Sequence, residues 1–157
     1  MMNERKKWIK VLDELWLKNF RVSQFYRRAT GVARDKALKA ALIRLSSQRA
    51  QFAFEIGRQV EILGGSFLSY ESDGDLRRRI IPLNLSEEST ERICEKSILH
   101  EKESIKDYTR ALSAVNDGPT REILIRHKAQ INNFMRELQS LPALPSPLKK
   151  DKNIKTN

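Results

Sequence analysis

GGSFLSYESDGDLRRRIIPLNL, residues 64–85, lies between two pairs of segments with helical periodicity, and its length decides how those pairs are arranged. The segments on either side are each joined by only a few residues, so each pair reads as an antiparallel helical hairpin. Helices of about 28 residues are roughly 42 Å long. A 22-residue connection, fully extended, reaches about 70 Å. It is long enough to cross the whole bundle, so that helices two and three run the same way. A simple up-down-up-down bundle, with the connection bulging outward, is the alternative. A short helical turn is expected around DLRRRII.

Working outward, the first helix is predicted over Asn3–Thr30, with Trp8, Leu12, Leu15, Val22, Tyr26 and Ala29 recurring every three or four positions. TGVARD ends it, with Gly31 as the predicted C-terminal cap and Asp35 as the next N-cap. Helix two, Asp35–Leu63, carries Leu38, Leu42, Leu45, Phe52, Ile56, Val60 and Leu63, and closes on Gly64 and Gly65, where glycine is the cheapest left-handed cap. Helix three is predicted to begin near Ser86, because Glu87 and Glu88 suit the positive end of its dipole. Its stripe is Cys94, Ile98, Ile105, Tyr108, Leu112 and Val115. NDGP stops it, and Pro119 opens helix four, which runs to Leu141 with Leu124, Ile131, Phe134, Leu138 and Leu141 inward. LPALPSPLKKDKNIKTN follows, so residues 1–141 form one bundle domain and 142–157 a flexible, proline- and lysine-rich tail.

Composition agrees with an all-α domain: 157 residues with only six glycines and five prolines. A single cysteine, Cys94, excludes an intramolecular disulfide and a cysteine-built metal cage. With no apolar stretch of a secretory signal or a membrane span, the expectation is a cytoplasmic protein. The formal charge of +10 attracts polyanions without specificity. Arg77, Arg78 and Arg79, with Lys149 and Lys150 in the tail, are the candidate contacts. No zinc-finger or RNA-binding aromatic signature accompanies them, so the charge is read first as a solvated surface.

Each apolar stripe has one polar gap: Asn19 in helix one, Arg49 in helix two, Glu101 in helix three and His127 in helix four. All four fall near mid-helix, so they should meet at one height in either topology. Buried alone, each would cost several kcal/mol. The expectation is therefore a paired polar layer, with Arg49 bonded to Glu101 and with Asn19 and His127 supplying the remaining hydrogen bonds. Such a layer fixes helix register.

SILHEKESIKDY, residues 97–108, raises the question of a metal. A carboxylate-bridged two-metal bundle uses Glu-x-x-His pairs, because residues three apart share a helix face. Ser97 stands three before His100 and Leu124 three before His127, and there is no further histidine. His100 should project toward a flank or solvent, about 100° from Glu101. With an arginine at the waist as well, no cofactor is predicted, and a di-iron or di-manganese centre is disfavoured. Glu101 and His127, with Gln51 or Glu55 nearby, are the residual metal-ligand candidates. Gly64-Gly65 follows a helix and is no phosphate loop. Cys94 reads as packing. Trp16 and Phe20, four apart, widen the apolar face of helix one toward a partner.

The hairpins, QFAFEIGRQVEILGG in helix two and HEKESIKDYTRAL in helix three resemble an uncharacterised bacterial family of ferritin-like four-helix-bundle proteins, a domain of unknown function. The likeness rests on Gln51, Phe52, Glu55, Leu63, Gly64 and Gly65, and on Glu101, Tyr108 and Leu112, within residues 5–141. It implies a ferritin-like antiparallel bundle of two hairpins with a long connection between helices two and three. The chain departs from the family pattern at Arg21, where an acidic residue is usual, and at Asn132-Asn133, where His-Asp is usual. The family implies a stress- or envelope-related helper and no established reaction. The leading expectation is a non-enzymatic bundle acting through association, as a homodimer or with a protein partner. The alternatives are a metal-binding ferritin-like oxidoreductase or storage protein, and a basic nucleic-acid-associated protein.

Overall fold

The computed structural model describes residues 3–66 and 88–142, and these form four α-helices: α1 (Glu4–Val32), α2 (Lys36–Ile62), α3 (Thr90–Ala114) and α4 (Gly118–Gln139). Each start is set by a side-chain cap. Asn3 accepts from Arg5 N, Asp35 from Leu38 N, Ser89 from Arg92 N and Asp117 from Thr120 N, which satisfies amide donors that the first turn leaves unpaired.

Two predicted boundaries shift. Gly31 is not a cap. It lies inside α1, which continues to Val32 and ends on Ala33, whose N–H bonds Ala29 O. With Asp35 already capping α2, the turn is made in extended backbone and needs no left-handed residue. The start of α3 lies later than Ser86, because Ser89 caps the helix and Glu88 pairs instead with Lys96 Nζ. At the end of α2, Gly64 has φ +93°, Gly65 N bonds Val60 O at 2.9 Å, and Gly64 N bonds Glu61 O at 3.0 Å. This is the Schellman arrangement that GG predicts. Gly65 is also bare for space: a Cβ there would stand 2.9 Å from Ile9 Cγ2.

Side-chain bonds between helices give the packing order. Asn19 meets Tyr108 and Tyr26 meets Glu101, so α1 and α3 are antiparallel neighbours. Arg44 meets Glu137 and Gln59 meets Thr120, so α2 and α4 are too. Cys94 meets Leu138 O while Arg121 meets Leu112 O, so α3 and α4 form the second antiparallel hairpin. With α1 and α2 as the first, α2 and α3 run parallel. Ser66 and Glu88 therefore sit at opposite ends of the bundle, and the up-down-up-down alternative is excluded. The turn expected around DLRRRII, the cations Arg77, Arg78, Arg79, Lys149 and Lys150, and the tail 143–157 lie outside the described residues.

The four stripes meet in one core, in which Leu12, Tyr26, Leu38, Leu42, Leu45, Ile56, Leu124, Ile131 and Leu138 are fully enclosed. Trp16 belongs to this core and is only 7% exposed, stacked on Phe20 with ring centroids 5.6 Å apart. Its indole is therefore not an outward partner surface. Among the described residues, no helix is long and apolar enough to cross a membrane.

Candidate functional site: the polar waist

Asn19, Arg49, Glu101 and His127 are all buried, with Arg49 only 1% exposed. They divide into two hydrogen-bonded sets rather than one.

The first set is built on the ion pair. Arg49 Nη1 lies 3.2 Å from Glu101 Oε2, and Arg49 Nη2 donates to Ser104 Oγ. The hydroxyl of Tyr26, from α1, donates to the other carboxylate oxygen, Glu101 Oε1. Ser104 in turn donates to His100 O at 2.8 Å. Burial pushes the Glu101 carboxyl above its ordinary range, while the Arg49 charge and the Tyr26 hydrogen bond pull it back. Burial, and the Glu101 carboxylate beside it, hold the Tyr26 phenol well above its usual value. Arg49 Nε has no hydrogen-bond partner among the described residues.

The second set is a relay. Asn19 Nδ2 donates to Leu15 O and to Tyr108 Oη, both at 3.0 Å. Tyr108 Oη stands 2.9 Å from His127 Nδ1, and His127 Nε2 stands 3.1 Å from Glu55 Oε1. The donors assign the direction. Tyr108 already accepts from Asn19, so its O–H goes to Nδ1, and the neutral imidazole keeps its proton on Nε2 to donate to Glu55. Burial lowers the His127 pKa to about 4, with the Glu55 hydrogen bond opposing. Phe52 stacks on the ring with centroids 4.0 Å apart. Arg126 holds the far oxygen of Glu55 at the surface.

Glu101 and His127 are thus committed to different partners. Gln51 is exposed and Glu55 half-buried at the edge of α2. Among the described residues, no three His, Cys, Asp or Glu side chains form a group able to hold a metal ion. His100 does not reach solvent freely; its ring packs against Phe25 at 4.5 Å, and burial lowers its pKa. Cys94 is fully buried and donates to Leu138 O at 3.5 Å, and its thiol is pushed up to about 12 by burial, then by Glu95. A protonated, enclosed thiol is a poor nucleophile.

Sequence reasoning missed Tyr26, Tyr108 and Ser104, which it counted as packing or passed over. A signal existed: a buried tyrosine hydroxyl finds a polar partner, and both tyrosines lie on apolar stripes beside a polar gap.

With this geometry in hand, comparison with known proteins places the chain. The sequence pattern of a domain of unknown function, DUF2383, matches residues 7–114, which take in nearly all of α1 and the whole of α2 and α3. The chain belongs to the DUF2383 family. No curated protein matches it. Among solved structures, the DUF2383 chain is similar to a Dps1 mutant of Mycobacterium smegmatis, with a TM-score of 0.74 at 11% identity, over 89% of this chain and 98% of that one. At that identity the likeness shows the fold alone: a ferritin-like four-helix bundle.

Proposed function

We propose that this DUF2383 protein is a non-enzymatic bundle that acts through association, as a homodimer or with a protein partner. The observation that carries the reading is Arg49: its guanidinium fills the middle of the bundle and is bonded there to Glu101 and Ser104. A fixed positive charge at that point repels a second cation, and both oxygens of the carboxylate it neutralises are already bonded, one to Arg49 and the other to Tyr26. The neutral His127, the protonated Cys94 and the enclosed tyrosines offer no activated nucleophile or solvent-facing base. Large apolar side chains do face solvent on α2, where Ile43 is 54%, Phe54 56% and Ile62 65% exposed. They are the residues whose covering would favour association.

Two measurements on the purified full chain test this reading. Light scattering coupled to size exclusion is expected to give a mass above the monomer, reduced by Phe54→Asp. Elemental analysis is expected to give no stoichiometric iron or manganese. A monomer with bound metal that Glu101→Ala releases would overturn the reading in favour of the metal-binding alternative. The nucleic-acid alternative draws on the +10 charge and predicts DNA binding that weakens steeply with salt.

A further inference from the structure

The face on which α1 lies against α3 holds a groove of about 460 Å³ that shares Ser104 and His100 with the first set of the waist. That volume falls in the range of small-ligand sites. Val22 and Phe25 of α1 give it an apolar wall. Five basic side chains line it, Lys18, Arg21, Arg28, Lys106 and Arg110, against two acids, Glu103 and Asp107. Asp107 is already shared, with Lys18 Nζ at 2.8 Å and with Arg110 Nη2. The positive excess is therefore not cancelled within the groove.

Two of the cations are placed to act together. The bonds Lys18–Asp107, Asn19–Tyr108 and Tyr26–Glu101 fix the register of α1 on α3. In that register Arg21 and Lys106 stand at the same level on opposite walls. Among the described residues, Arg21 Nε is buried and has no hydrogen-bond partner, so one N–H donor of this guanidinium is left unused. A guanidinium presents its donors in a planar fork that matches a carboxylate or phosphate.

We infer that this groove binds a small organic anion, a flat apolar body carrying one phosphate or carboxylate. The body lies against Val22 and Phe25, and the anionic group is held between Arg21 and Lys106. The inference goes beyond the proposed function, since neither metal content nor oligomeric mass bears on it. A nucleic-acid duplex fits less well, because it carries its phosphates on a convex surface and leaves an apolar wall unused.

The test is isothermal titration calorimetry on the full chain with naphthyl phosphate, naphthoate and neutral naphthol. At least one anion is expected to bind with one-to-one stoichiometry and to exceed naphthol by about tenfold or more; which of the two binds tighter assigns the head group. Lys106→Gln changes an exposed side chain and should not disturb folding, yet it is expected to weaken the anion about tenfold. Arg21→Gln should do likewise, while Lys39→Gln on α2 should leave binding unchanged. No binding of either anion, equal binding of naphthol, or an undiminished affinity in Lys106→Gln would each overturn the inference. Displacement of naphthyl phosphate by a short DNA duplex, with steep salt dependence, would overturn it in favour of a polyanion.

Discussion

Arg49 keeps its charge in the interior because Glu101 neutralises it and Ser104 takes another of its donors. Removing one member of a buried pair leaves the other charge stranded, which costs about 3–5 kcal/mol. Arg49→Met should therefore lower unfolding stability in urea by about that much, whereas Arg49→Met with Glu101→Gln should recover a large part of the loss. His127 gives the second prediction at this scale. In the folded chain it titrates at about 4, against 6.5 for the ordinary side chain. Between those values the unfolded chain holds more protons, so the contribution is complete above pH 6.5 and is lost as pH falls toward 4. The loss amounts to about 3 kcal/mol. Asp13, pushed up to about 6 by burial and by Glu14, titrates with the opposite sign, as does Glu101. Comparing stability curves of the parent and His127→Phe across this window isolates His127, since both carboxyl groups persist in the variant. Parallel curves would show that His127 does not titrate in this way.

The helices are where sequence and structure agree most closely, and the reason lies in particular residues. Leu12 to Ala29, Leu38 to Val60 and Leu124 to Leu138 recur at helical spacing, and side chains spaced this way have one face on which to be buried. Asp35 is a cap legible from type and position alone, whereas Asp117 caps α4 from within the NDGP that reads only as a stop. Asp117 accepts from both the N–H of Thr120, at 3.1 Å, and its hydroxyl, at 2.7 Å. Asp117→Ala should cost about 1 kcal/mol, read from the shift in denaturation midpoint. Boundaries were less legible where two residues compete for one role: Ser86 and Ser89 are both good caps by type, and the helix starts from Ser89. The waist was legible as four polar gaps, but not as two separate sets. Pairing across helices depends on which side of the stripe each group occupies, and Tyr108 joins Asn19 to His127 from within an apolar pattern.

At the scale of the molecule, the parallel course of α2 and α3 makes the connection between them a length requirement. The 27-residue α2 is about 40 Å long, so roughly a dozen extended residues are the least that can join the two ends. Shortening residues 67–87 to six Gly/Ser residues, linked to the flanks at 66 and 88, should abolish the monomeric bundle or force exchange of hairpins between chains. A connection of about 20 residues of the same composition should restore it, as read from helical circular dichroism and molecular mass. A folded monomer with the shortest link would mean that α2 and α3 do not run the same way. The arrangement has another effect. Each end of the barrel of helices displays two amino-terminal and two carboxy-terminal turns, so the peptide macrodipoles oppose one another and sum to nearly nothing. At a distance the backbone of these four helices therefore contributes little, and the long-range field a charged partner meets is set mainly by side chains, in positions that single substitutions can edit.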